Sequence, residues 1–364
     1  MPVATQRGGA EAILLDAVRH GRRHARWLVV FLEDGPMVQT VERVGAEALV
    51  IRAGRVRDLG RLLRTLRELG RALRGWRPDV VVSWMTKGHL YVAPVATLLG
   101  IPAYWFQHGI PSTTDPIDRT VTLLPARGVF APSRTVAAAQ ASMRPRRPVH
   151  VAYPGVETAG AAERDGPGDV VGPWVPEGAR VIGMVARLQR WKGVHVAVEA
   201  LRIVLATQPD AHLVVVGGDH PLEPGYREHL LDLADRLGLA DRVHLVGYQA
   251  DATRWMRACD VIVHASDREP FGIVVLEAMA LGKPLVAGSD GGPAEVVREG
   301  VDGFLVAYGD AATLADRIGR YLADPDLARR MGEAAAVRAG GFSPARFAED
   351  VLAPLRHHAR GRRG

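Results

Sequence analysis

The stretch that decides the fold is residues 264–295, His-Ala-Ser-Asp-Arg-Glu-Pro-Phe-Gly-Ile-Val-Val-Leu-Glu-Ala-Met-Ala-Leu-Gly-Lys-Pro-Leu-Val-Ala-Gly-Ser-Asp-Gly-Gly-Pro-Ala-Glu. Glu269 and Glu277 stand eight residues apart. Pro270 and Gly272 mark a turn between them, and the apolar run Ile273–Leu281 predicts a helix. Glu269 is then expected at the mouth of a helix, with Glu277 about one turn inside it. Backbone N–H groups at the helix start lie between the two carboxylates. That arrangement suits a ligand with hydroxyls at one end and negative charge in the middle. Glu277 sits in an apolar helix, where an unpaired charge is costly, so a polar partner is expected for it. Glu269 read alone is an ordinary loop acid.

Working outward, strands are expected at 180–186, 212–217, 243–247, 260–264, 284–288 and 303–306. Helices are expected at 193–206, 224–237, 251–258, 273–281, 292–299, 310–323 and 325–338. Strands alternating with helices imply a doubly wound parallel sheet. The first strand runs into Gly183-Met184-Val185-Ala186-Arg187-Leu188-Gln189-Arg190-Trp191-Lys192-Gly193. Two cations, Arg187 and Lys192, flank a loop that leads into a helix. A diphosphate needs cations from two directions together with backbone donors. Alone, this loop reads as two surface cations; beside the glutamate stretch, it reads as a diphosphate site.

The first half repeats the alternation, with strands at 27–32, 48–51, 80–84, 102–106 and about 148–152. A Gly8-Gly9-Ala10-Glu11 turn opens a helix near the start, leaving only Met1–Arg7 for a strand before it. Arg57–Trp76 is an amphipathic helix with Leu59, Leu62, Leu63, Leu66, Leu69 and Leu73 read as one face and five arginines elsewhere. It reads as a covering helix with a solvated basic rim, since a strand follows at once. The other reading is a helix lying on anionic lipid. Residues 156–179 are aperiodic and rich in Gly, Pro and acids, which marks a linker. The expected division is 1–157, then 158–342, with a final helix within 343–364 packing back on the first domain.

At 364 residues two domains are the ordinary expectation. The single cysteine, Cys259, leaves no internal disulfide to form. No breaker-free apolar run reaches about 18 residues, and the N-terminus lacks a signal pattern, so a cytoplasmic protein is expected, with membrane association as the alternative. The net charge of +6 is carried by arginines spread along the chain. Without a basic stripe carrying aromatic or groove-reading elements, nucleic-acid binding is not expected. The Arg-rich, Ala-rich composition suits a GC-rich bacterial source.

Arg187-x-x-x-x-Lys192-Gly193 paired with Glu269-Pro270-Phe271-Gly272-x-x-x-x-Glu277-Ala278-Met279-Ala280 resembles the retaining nucleotide-sugar glycosyltransferases of family GT4, in the GT-B fold. Gly8-Gly9, Arg77-Pro78-Asp79-Val80-Val81, His108-Gly109, Pro154-Gly155-Val156 and Gly291-Gly292 stand where that family has similar segments. The resemblance implies two Rossmann-like domains facing across a cleft, and a hexosyltransferase that uses a nucleoside diphosphate sugar, expected to be a UDP-sugar, on an unknown acceptor such as a small natural product, sugar or lipid. It implies that Glu277 binds the ribose hydroxyls, Glu269 the sugar hydroxyls beside the anomeric carbon, and Arg187 and Lys192 the diphosphate. Phe271, Gly272 and Ile273 would contact sugar and phosphate through their backbone. Gly247 and Tyr248 would lie near the base, Gly8 and Gly9 near the phosphates or acceptor, and His108 at the donor sugar. Lys87 and His89 follow the strand at 80–84 and are read as acceptor contacts or helix caps. No cofactor is implied, and no metal, since Arg and Lys neutralise the leaving group. Asp115-Pro116-Ile117-Asp118 looks like a metal pair but reads as loop or acceptor wall. The rival readings are a sugar phosphorylase or nucleotide-sugar epimerase on the same fold, a nucleotide-sugar-binding protein without turnover, and a protein whose main act is lipid contact through Arg57–Trp76.

Overall fold

The computed structural model describes residues 8–54, 58–157 and 170–360. Met1–Arg7, Arg57 and most of the expected linker lie outside them. The described residues up to Gly155, with those from Phe342 onward, form one compact unit; Val156–Gly341 form a second.

The first unit runs α1 (Gly9–Gly21), β1 (Leu28–Phe31), α2 (Pro36–Arg43), β2 (Glu47–Val50), α3 (Leu59–Trp76), β3 (Val81–Trp84), α4 (Met85–Leu98), β4 (Ala103–Phe106), α5 (Pro116–Leu123), β5 (Gly128–Ala131), α6 (Arg134–Ser142) and β6 (Val149–Val151). β3, β4, β5 and β6 form a parallel sheet in that order; β1 and β2 form a separate parallel pair. Every residue of β4 and β5 is buried, as expected of parallel strands covered on both faces.

β5 falls where the sequence reading expects no strand, and two further elements differ from that reading. Asp115-Pro116-Ile117-Asp118 is a helix start, not a loop wall. The Asp115 carboxylate accepts from the N–H groups of Ile117 (2.7 Å) and Asp118 (3.1 Å), Pro116 occupies the first turn, and Asp118 accepts from the Ser112 N–H at 2.9 Å. Along α3 the leucines do not share one face. Leu69 and Leu73 are buried in a core with Tyr91, Val95 and Ile101, flanked by Leu62 and Leu66. Leu59 and Leu63 are exposed. At 3.6 residues per turn these two lie roughly 60° and 100° round from Leu62, at the edge of the inward arc.

The second unit runs β7 (Arg180–Val185), a 3-10 turn (Arg190–Lys192), α7 (Val194–Val204), β8 (Ala211–Val216), α8 (Tyr226–Arg236), β9 (Val243–Gly247), α9 (Ala252–Ala258), β10 (Val261–His264), α10 (Ile273–Ala280), β11 (Leu285–Gly288), α11 (Pro293–Val296), β12 (Phe304–Val306), α12 (Ala311–Ala323) and α13 (Pro325–Ala339). Its six strands are parallel, in the order β12-β11-β10-β7-β8-β9. The order reverses between β7 and β10. Crossovers leave on opposite faces there, which makes the ends of β7 and β10 the switch point at which ligands bind in sheets of this kind. The chain closes with α14 (Pro344–Arg360), which belongs to the first unit and packs on α1, where a Cβ at Gly21 would lie 3.3 Å from Leu352.

Candidate active site

The loops after β7 and β10 are joined through their backbones. The Asp267 N–H donates to the Trp191 carbonyl at 2.7 Å. Gly193 has φ +72°, and a Cβ there would stand 2.0 Å from the Ala265 carbonyl oxygen. No side chain fits between these strands of main chain. On the other side, Gly292 donates its N–H to the Glu269 carbonyl at 2.8 Å. A Cβ on Gly291 (φ +93°) would lie 2.0 Å from that same oxygen, and one on Gly292 would lie 2.3 Å from Phe271 Cα. Glu269 is thus held between two glycine loops. Arg268, the residue before it, has φ +43°, in the left-handed region that side chains rarely adopt.

This backbone brings three charged or polar side chains together. Lys192 Nζ donates to Glu269 Oε2 at 2.5 Å, and His264 Nε2 lies 3.2 Å from the same oxygen. Side-chain exposures are 15% for Lys192, 12% for Glu269 and 5% for His264, so the pair is largely withdrawn from water without being sealed. Burial pushes the Glu269 carboxyl up. The Lys192 charge and the His264 hydrogen bond together outweigh it and hold the group well below the usual carboxylate range. Lys192 also lies 3.9 Å from the centre of the Trp191 ring. An ammonium has three donors, and one is spent on Glu269. The 3-10 turn that carries Lys192 is braced at Arg190: its N–H donates to Glu223 at 2.7 Å, and its carbonyl accepts from Tyr308 Oη at 3.2 Å.

The other residues singled out in the second unit lie at or beyond the carboxyl ends of β7, β9 and β10. Arg187 is exposed just beyond β7, near enough to His220 to add to the downward shift that burial gives that imidazole. Phe271 is buried, Gly272 precedes α10 at φ +83°, and Ile273 is the first helical residue. Glu277 is half-buried one turn along α10. Gly247 (φ +77°) ends β9 and turns the chain so that Tyr248 projects, 62% exposed.

In the first unit, Gly8 precedes α1 and donates its N–H to the buried Glu11 carboxylate at 2.9 Å; Gly9 is exposed. Tyr104, Phe106 and His108 share one face of β4 and its extension, at every second residue. His108 stacks on Phe106 at 4.6 Å and lies 5.1 Å from Trp84. Its Nε2 is covered and has no partner among the described residues. Burial pushes its pKa down to about 3, so the ring is neutral. Lys87 is exposed on the first turn of α4. His89 is not a surface contact: it is fully buried, stacked on Trp105 at 5.3 Å and joined to Ser83 Oγ at 3.0 Å. An acceptor cannot reach it. Its pKa falls to about 4, chiefly through burial.

Sequence reasoning passed over His264 and Arg268. The signal for His264 was a histidine ending an otherwise apolar strand five residues before the glutamate. Among the described residues no group of three or more His, Cys, Asp or Glu side chains is arranged to hold a metal ion.

Residues 173–338 match the family model described as glycosyl transferases group 1, and residues 7–159 match the model described as glycosyltransferase family 4. The chain belongs to glycosyltransferase family 4. D-inositol 3-phosphate glycosyltransferase of Streptomyces scabiei is 38% identical over 199 residues, 52% of this chain and 44% of the relative. The protein of the same name from Nocardia farcinica is 36% identical over 179 residues, 48% of this chain and 40% of the relative. The chain thus spans less than half the length of these curated relatives. HepE of Anabaena, solved with UDP-glucose, superposes with a TM-score of 0.85 at 26% identity over 97% of both chains. Sucrose-phosphate synthase of Thermosynechococcus elongatus shares the fold, with a TM-score of 0.77 at 20% identity over 99% of this chain and 96% of that one. Two doubly wound parallel-sheet units make the GT-B architecture, which this chain shares with these solved structures.

Proposed function

We propose that this family-4 protein transfers a sugar from UDP to an acceptor hydroxyl, with retention at the anomeric carbon and without a metal or other cofactor. The observation that carries the reading is the Lys192–Glu269–His264 cluster at the switch point of the second sheet, backed by the start of α10. Support for the nucleotide comes from HepE, which was solved with UDP and glucose and with UDP-glucose.

The chemistry requires two opposite charges to be met. As the sugar–phosphate bond breaks, positive charge grows on the ring and negative charge on the leaving diphosphate. Lys192, Arg187 and the N–H groups at the head of α10 would stabilise the second. Glu269, kept ionised by Lys192 and His264, would accept from sugar hydroxyls and oppose the first. Glu277 would accept from the ribose, and Gly247 and Tyr248 would flank the base. Gly8, Gly9 and His108 are the residues the first unit would offer to donor and acceptor, and Lys87 is a candidate for the acceptor alone. Retention rests on family membership; metal independence rests on the two cations available for the diphosphate.

The test is calorimetric titration with UDP, GDP and ADP, followed by transfer assays with the corresponding sugars in EDTA. UDP binding that is weakened in Glu277→Ala, and transfer that survives EDTA, are expected. Wild-type transfer by Lys192→Ala would sink the assignment. Turnover that depends on inorganic phosphate would assign a phosphorylase instead, and donor binding without turnover would assign a binding protein.

A further inference from the structure

The outer face of α3 carries leucines and arginines that the packing of the first unit does not use. Leu59 is 70% exposed and Leu63 52%. Arg67, Arg71 and Arg74 are exposed on the same side. At 3.6 residues per turn all five fall within an arc of about 120°. The inward arc is already filled, with Leu62, Leu66, Leu69 and Leu73 packed into the core and Gly70 placed so that a Cβ would lie 3.7 Å from Val95 on α4. The helix has five arginines and one glutamate over 18 residues. Arg61 pairs with Asp58 and Arg64 with Glu68. Arg67, Arg71 and Arg74 have no carboxylate partner among the described residues.

We propose that this face docks the protein on an anionic lipid bilayer. Cations alone would suit any polyanion. The two exposed leucines decide for the bilayer, because they continue the arginine stripe along the helix. A helix lying in the headgroup plane needs apolar groups to insert beside cations that meet phosphates. Arginine suits the second part, since its fork binds phosphate oxygens in pairs while its stem stays among apolar groups. With five arginines α3 cannot cross a bilayer; it lies along one. Nucleic acid is the poorer fit, because the stripe has no aromatic or groove-reading residue.

Flotation of the full chain with vesicles of phosphatidylcholine, alone or mixed with phosphatidylglycerol, tests this without any donor, so it stands apart from the transfer reading. The chain should float with the anionic vesicles only and be released by added salt. R67E/R71E/R74E should cut partition about a hundredfold or more, and L59S/L63S about tenfold. All five positions are exposed, and an unchanged thermal midpoint would check that the variants fold. Equal partition on both vesicle types, or wild-type binding by the arginine variant, would overturn the proposal. Binding indifferent to L59S/L63S would reduce it to general charge attraction and overturn docking by insertion. Retention on heparin without flotation would assign the arginines to a soluble polyanion and overturn it as well.

Discussion

The two candidate strand ends are built by different means. In the second unit, the loop after β10 touches the loops after β7 and β11 backbone to backbone, with Gly193, Gly291 and Gly292 at the contacts and no space for a Cβ. In the first unit, the ends of β3 and β4 are set by stacked rings, Trp84, Phe106 and His108, and the neighbouring Gly109 has nothing within 4 Å of where its Cβ would be. An ion pair gains or loses energy steeply with distance in a low-dielectric site. A ring stack tolerates a few tenths of an ångström. The comparison teaches that a charged strand end needs spacing fixed by main chain, whereas a neutral one needs only a shaped surface.

The sharpest way to break that contrast is to compare single truncations in the two units. Lys192→Ala should lower kcat/KM by about a hundred- to a thousandfold, as loss of a preorganised charge does. His108→Ala should cost about tenfold, the worth of one neutral hydrogen bond. Steady-state kinetics with a UDP-sugar would decide, and the reverse ranking would undo the comparison. Glycine substitutions probe the same contrast in the fold. Gly193→Ala or Gly292→Ala should lose at least about 3 kcal/mol in urea unfolding, and Gly109→Ala should stay within about 0.5 kcal/mol.

Acid should weaken the first unit through its neutral histidines. His89 is held near 4 and His108 near 3, against 6.5 when unfolded. The unfolded chain therefore takes up the proton first, and stability falls as pH drops from about 6.5 toward 4. His89 alone should account for about 2 kcal/mol by about pH 5, and His89→Phe should flatten the fall of the melting temperature with pH. Glu269 has a depressed carboxyl, so its contribution persists above the ordinary carboxylate range and fades only on further acidification. The smallest effect sharpens the picture of the cluster. His264→Ala should lower kcat by about tenfold through loss of one hydrogen bond to a charged group. It should also move the acid limb of the rate profile upward, while His264→Gln, which can still donate, should restore most of the rate. A purely packing role for His264 would leave that limb in place.

The second unit was legible because its periodicity and its motif chemistry agree. Its strands are largely apolar runs, β8, β9 and β11 ending at or just before a glycine, and the loops after β7 and β10 carry Lys192 and Glu269, the residues singled out from spacing. His264 was not legible as a partner, because only the parallel register of β7 and β10 brings it beside both. The first unit was harder to read. β5 begins at a glycine and holds only Val129 and Phe130 as strand formers, so its signal is weak, and α5 hides behind an Asp-Pro pair that also reads as loop. His89 was misplaced because a helix begins directly after β3 and turns it inward, onto Trp105. The leucines of α3 were counted as a single face, because spacing alone does not show how wide an arc the neighbouring helix covers.

The glycine contacts have an evolutionary consequence. Where main chain meets main chain, the permitted residue is dictated by sterics alone, and the reactive atoms keep their places whatever surrounds them. Tyr248, on the loop after β9, and Ile273, at the head of α10, take no part in those contacts. Under the proposed function, new preferences for base or sugar would accumulate at such positions by single substitutions, each leaving the spacing of Lys192 and Glu269 untouched. A scaffold of this kind can diversify its substrates without rebuilding its chemistry.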